Sequence, residues 1–202
     1  SSPASPTNHN RPPVHPHGGR FDIQMVPNGE DDMTIAGVLA DHQIRDMIAT
    51  GGIAADTPIQ EGQIQPASLD LRLGATAYRV RASFLAGRTR SVIDRLADFQ
   101  MHAIDLDGGA VLEKGCVYVV PLMESLSLPQ GMTAAASAKS SIGRLDLLTR
   151  IITDQGVEFD RVPAGYSGPL YVEICPRSFS VVAQPGQMLN QIIFRQGKTI
   201  MS

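Results

Sequence analysis

The 202-residue chain carries 17 Lys and Arg against 20 Asp and Glu, a net charge of −3, and is 43% hydrophobic. This balance excludes the basic excess of a nucleic-acid footprint, and no run approaches the roughly 18 apolar residues of a membrane span. The length suits one sizeable core with an appendage, and the lack of a secretory apolar segment at the start makes the cytoplasm the expected location.

Residues 1–33 read as a tail. The stretch SSPASPTNHNRPPVHPHGGR has no hydrophobic period, and its prolines block helix and sheet ladders alike. It holds His9, His15 and His17, which suit either a metal-binding tract or a disordered leader. Glu30-Asp31-Asp32 ends it as a solvated acidic run. The folded part is expected over 34–202.

Asp41 is placed to cap a helix with Ile44, Met47 and Ile48 on one face, stopped by Gly51-Gly52. In IQPASLDLRLG, Leu69, Leu71 and Leu73 alternate with Asp70 and Arg72. Period two predicts a half-buried strand that continues through Tyr78 and Val80, with Asp70 and Arg72 paired on an exposed face. Residues 89–99 predict a short helix with Val92, Ile93, Leu96 and Phe99 inward. CVYVVPLM (116–123) is a strand in which Pro121 marks an edge or bend. PLYVEI (169–174) is a strand preceded by the turn AGYSG, and FSVVAQPGQMLNQIIF closes as two strands around Pro185-Gly186. Many short strands, Gly/Pro turns and few helices predict a mostly β barrel or sandwich. Cys116 and Cys175 lie in apolar strands and read as two buried free thiols.

Several constellations could carry chemistry. AKSSIGR (138–144) is small, polar and basic. If 139–144 forms a helical turn, Ser140 and Arg144 share a face, and with Lys139 they make an anion site suited to phosphate oxygens. The same residues also fit a simple N-cap at Ser140 or Ser141 with a surface Arg. Glu173 alternates with Leu170, Val172 and Ile174 and shares its face with Tyr171. A strand carboxylate facing a cleft can be a general base, while one facing solvent is only polar surface. Asp154 and Asp160 flank an irregular stretch and are either metal-binding or solvated.

Taken together, AKSSIGRL, then GYSG before the strand ending in Glu173, then QPGQMLNQIIF resemble the dCTP deaminase family of the dUTPase-like superfamily. IQPASLDLRLG and LADHQIRDMI resemble its early strand and first helix, so the likeness is collinear from about Ile35 to Phe194. The resemblance implies a distorted β-barrel of the β-clip type and a homotrimer or pseudo-trimer with sites at subunit interfaces. It also implies hydrolytic deamination of dCTP to dUTP and ammonia, with Mg²⁺ on the nucleotide and no zinc. The chain has neither the HxE nor the PCxxC of zinc deaminases. Carried over by position, Glu173 would be the general base, with Ser140 and Arg144 as its catalytic partners. Lys139, Ser141, Tyr166 and Gln191 would bind substrate, the first two at the phosphates.

Three departures from the family pattern bear on function. Pro163 stands where the family has an Asp, which weakens the case for cleavage of the triphosphate. The chain is longer than compact members between Thr153 and Gly165, and Asp154 stands where a small residue is expected. After Phe194 only RQGKTIMS remains, where compact members continue with a basic tail. The wording IQPASLDLRLGATAYRVRASFL and FDRVPAGYSGPLYVEI resembles the N-terminal lobe of a longer, duplicated form. The alternatives are a dUTP or dCTP pyrophosphatase of the same fold, or a non-catalytic nucleotide-binding lobe.

Overall fold

The computed structural model describes residues 37–197, so the 1–33 tail lies outside the described residues. β1 (Gly37–Val38) leads into α1 (Asp41–Ala49), which buries Ile44 and Met47 as the spacing predicts. The residue before the helix is Ala40, so Asp41 opens the first turn rather than capping it. The Gln43 side chain instead accepts the Ala40 N–H at 3.0 Å. Gly51, at φ 81°, ends the helix before β2 (Ile53–Ala55).

The run from 64 to 80 is three strands, not one: β3 (Ile64–Gln65), β4 (Ser68–Arg72) and β5 (Thr76–Val80). Gly74 makes the break. Its N–H reaches the Pro121 carbonyl at 2.8 Å, and a Cβ there would lie 2.7 Å from that oxygen. The chain turns this corner and β5 enters a different sheet from β4. β4 is also buried along its whole length rather than half-buried. Its two charges do not pair with each other. Arg72 Nε donates to Glu124 at 2.8 Å, and Asp70 pairs with Lys139.

α2 (Val92–Phe99) is capped by Ser91, whose Oγ accepts the Asp94 N–H at 3.1 Å. Val92 and Leu96 face inward, but Ile93 is exposed, because one residue along a helix turns the side chain by about 100°. There follow β6 (Gln100–Asp105), β7 (Ala110–Leu112), β8 (Val117–Ser127) and β9 (Met132–Ala138). After α3 (Ser140–Gly143) come β10 (Leu147–Thr153), β11 (Arg161–Val162), β12 (Ser167–Pro176), β13 (Val181–Ala183) and β14 (Met188–Gln196). Pro121 lies between the part of β8 that pairs with β5 and the part that pairs with β2, the bend its ring predicts. β13 and β14 flank Pro185-Gly186 but pair with other strands, not with each other.

One six-stranded sheet runs β11-β9-β14-β4-β3, with β1 beside β14. The other runs β10-β12-β8-β5-β6, with β2 beside β8, and β7 and β13 form a separate ladder. The fold is mostly β, as expected, and consistent with the β-clip type. Leu69, Leu71 and Phe194 of the first sheet share a core with Val120, Val172 and Ile174 of the second. A smaller cluster holds Val80, Phe84, Leu96, Val119, Ile152 and Tyr171. Neighbouring strand residues point to opposite faces, so this cluster covers the second sheet's other side. Both faces of β12 are therefore packed. Cys116 and Cys175 are free thiols, half-buried rather than buried. No helix among the described residues is long and apolar enough to cross a membrane.

Candidate active site

Glu173 lies mid-way along β12, which pairs with β10 on one side and β8 on the other. It shares the Tyr171 face, so it points under the smaller cluster and is only 1% exposed. A solvent-facing carboxylate is thereby excluded. The same packing pushes the Tyr171 phenol up to about 12 through loss of water.

Arg150 stands opposite Glu173 in the β10–β12 ladder. Its Nε and Nη2 donate to Glu173 Oε1 at 3.1 and 2.5 Å. Its Nη2 also donates to Ser83 Oγ at 3.0 Å, and its guanidinium lies 3.8 Å from the Phe159 ring centroid. Glu173 Oε2 is buried without a hydrogen-bond partner. A desolvated carboxylate with one oxygen held and the other unengaged has the form of a general base awaiting its proton donor.

The loop that carries Phe159 is tied down by the two acids read from the sequence as metal-binding or solvated. Asp154 Oδ1 accepts the Val92 N–H at the start of α2 at 2.7 Å, where a carboxylate also suits the helix dipole. Asp160 Oδ1 accepts the Ile151 N–H at 2.7 Å, with Asp160 at φ 60°. Burial raises the Asp160 carboxyl above its ordinary range, against the pull of that N–H and of Arg150.

Residues 154–158 of this loop also line a cleft of about 960 Å³ with Arg161, Tyr166 and Arg195 among its walls, and neither Glu173 nor Arg150 lines it. Such a volume accommodates a small-molecule ligand. Tyr166 is one of the wall residues, and its hydroxyl is engaged: it donates to the Pro169 carbonyl at 2.5 Å and accepts the Asp154 N–H at 3.2 Å. Burial raises this phenol far above its ordinary value.

A second polar row crosses the first sheet. Gln191 sits opposite Asp70 on β4 and Ser137 on β9, with long hydrogen bonds to Ser68 and Ser137 at 3.5 and 3.4 Å. Lys139, two residues beyond Ser137, pairs with the buried Asp70. The sheet thus gathers Lys139 and Gln191 around one carboxylate, whose Oδ1 is buried and unpartnered. The helical turn at 140–143 forms as expected, but its preceding residue is Lys139 and no side chain caps it, so neither Ser140 nor Ser141 is the N-cap. Ser140, Ser141 and Arg144 are exposed, and no hydrogen bond or ion pair among the described residues joins Ser140 or Arg144 to Glu173. Arg150, Ser83 and Phe159 were not singled out from the sequence. Their partnership depends on cross-strand register, which no local pattern encodes.

Residues 35–198 match the family model described as the 2'-deoxycytidine 5'-triphosphate deaminase (DCD) N-terminal domain. A relative from Methanoculleus marisnigri called "dCTP deaminase, dUMP-forming" is 32% identical over 166 residues, covering 78% of this chain and 79% of its own. A protein of the same name from Parafrankia sp. is 30% identical over 160 residues, covering 78% and 76%. The crystal structure of 2'-deoxycytidine 5'-triphosphate deaminase from Agrobacterium tumefaciens superposes with a TM-score of 0.79 at 56% identity, over 80% of this chain. This chain spans about half of that protein, 49% of its length. Fold and sequence agree, and the chain belongs to the dCTP deaminase family.

Proposed function

We propose that this chain hydrolyses the exocyclic amino group of dCTP, with Glu173 as general base. The observation that carries this reading is a buried strand carboxylate, held through Oε1 and free at Oε2, in a chain of this family. Water adds across the C4=N3 bond of cytosine: its oxygen bonds to C4, and its proton passes through Glu173 Oε2 to N3. The remaining hydroxyl proton then travels by the same carboxylate to the amine. The C4–N bond breaks, ammonia leaves and a C4 carbonyl remains. Positioned proton transfer of this kind is worth roughly 10²- to 10⁴-fold in rate.

In this reading Ser140 orients the water and Arg144 supports the developing charge, while Lys139 and Ser141 meet the phosphates. Gln191 and the ring of Tyr166 contact the nucleoside. Ser140 and Arg144 face outward from their own chain, which fits a trimer in which they serve a neighbouring copy's Glu173. Among the described residues no three His, Cys, Asp or Glu are grouped to hold a metal ion. In this reading Mg²⁺ accompanies the triphosphate and the deamination needs no zinc, because the sequence lacks the HxE and PCxxC pattern of zinc deaminases.

The product is the finer question. Pro163 offers no carboxylate at the position tied to triphosphate cleavage, which favours dUTP. The second reading, deamination through to dUMP, is favoured by the names of the Methanoculleus and Parafrankia relatives. Incubation with dCTP and Mg²⁺, followed by chromatography, distinguishes dUTP plus ammonia from dUMP plus pyrophosphate and ammonia. Glu173→Gln is expected to lower kcat by about 10²- to 10⁴-fold. A variant as fast as the wild type would remove Glu173 from the chemistry.

A further inference from the structure

Arg150 does more than neutralise its neighbour. Its side chain is 30% exposed and that of Glu173 only 2%, so the guanidinium reaches from the carboxylate towards solvent. Pairing between Arg and a carboxylate is strongest as two parallel bonds, one to each oxygen. Here both donors converge on Oε1, and Oε2 stays buried and unpartnered. An orphaned interior oxygen is costly, so pairing alone would not select this arrangement. Other contacts select it. Ser83 anchors Nη2, and Phe159 supports the guanidinium plane. These two residues come from separate segments, one before α2 and one before β11.

We infer that Arg150 is the positioning residue of Glu173, with Phe159 and Ser83 holding it in place. It fixes the carboxylate rotamer, compensates the buried charge and leaves the Oε2 lone pairs directed at the reacting water. This inference rests on the reading of Glu173 as the base. The base sits on a strand paired along both edges, so its backbone is fixed by the sheet. Only the side-chain rotamer is left to be set, and the cross-strand guanidinium sets it.

The test uses the full chain with dCTP and Mg²⁺, comparing Arg150→Met, Arg150→Lys, Phe159→Leu, Glu173→Gln and the double variant R150M/E173Q. Thermal unfolding of each reports whether it is folded. Misplacing a catalytic group costs on the order of 10²-fold, so Arg150→Met is expected to lose about that much in kcat with KM near the wild-type value. Arg150→Lys restores part of the loss through its charge, and Phe159→Leu, which loosens the stack, shows a smaller fall. The double variant is expected to be no slower than Glu173→Gln alone, because Arg150 acts through Glu173. A purely structural Arg150 would instead slow both backgrounds alike, and that result overturns the inference. So does an Arg150→Met enzyme as fast as wild type, or faster, which would make the guanidinium a plug over the base. If Arg150→Met does not fold, Arg150→Lys and Phe159→Leu carry the test: unchanged kcat in both overturns it. A fully active Glu173→Gln removes the base assignment and this inference with it, a result distinct from failure of the Arg150 series alone.

Discussion

Asp160 shows how much a single loop residue is asked to reconcile. Its backbone is left-handed, its carboxylate serves the Ile151 N–H, and Arg150 and Glu173 both act on its charge. Loss of water dominates and raises its pKa in the folded chain. The native state therefore binds more protons than the unfolded state just above the ordinary carboxylate range, and stability contributed by this group falls as pH rises through that window. Asn retains an acceptor for the Ile151 N–H and tolerates positive φ. Asp160→Asn is thus expected to match the wild type in urea unfolding at about pH 3 and to be the more stable protein at about pH 7. The opposite ordering would show that attraction to Arg150 outweighs burial. At this scale the sequence was partly legible. Alternation in PLYVEI put Glu173 and Tyr171 on one face, and that holds. The same alternation could not say that this face is covered, because the cover comes from residues 80–99, remote in the chain. Nor could it show Arg150, which meets Glu173 through pairing alone.

At the level of elements, the buried pair of Arg72 and Glu124 ties β4 to β8 across the two sheets. All three side-chain nitrogens of Arg72 donate. Arg72 also donates to Thr57 Oγ1 and to the Thr57 and Pro58 carbonyls, and Gln63, at the end of a short 3₁₀ turn (Glu61–Gln63), donates to Glu124 and to the Asp70 carbonyl. A saturated pair of this kind is costly to break from one side, because the remaining charge stays buried. Arg72→Met is expected to lose about 3–5 kcal/mol in urea unfolding, and Arg72→Met with Glu124→Met to recover part of it. Equal losses in the single and double variants would show that the pair contributes through shape rather than charge. The network also explains why the β4 reading was half right. The leucines of SLDLR do face the core, but period two assigns the intervening charges to solvent, and only a partner from a distant strand can bring them inside. Likewise the run through Val80 reads as continuous because a Gly that turns a corner and a Gly inside a strand look alike in sequence.

For the whole molecule, the chain spans 49% of the length of one relative and 79% of another. The outward-facing Ser140 and Arg144 gain a role if three copies share their sites. Sedimentation equilibrium is expected to give three times the 21.6 kDa chain mass. Mixing inactive Glu173→Gln with inactive Arg144→Ala, after dissociation and reassembly, is expected to restore measurable turnover, since some interfaces then unite an intact Glu173 with an intact Arg144. A monomer, or a mixture that stays inactive, would count against sites built from two copies. Strand order was beyond the sequence for the same reason as register: β12 lies between β8 and β10 although neither adjoins it in the chain. That central place has a consequence for how such a protein changes over generations. A residue mounted on a strand zipped along both edges cannot drift without loosening the sheet, so folding constrains β12, and the role proposed for Glu173 would add a second constraint. The loop from Asp154 to Asp160 carries no such double duty along most of its length, and it lines the cleft. Variation along that loop would reshape the cleft without moving β12, so changes in ligand preference are most accessible there.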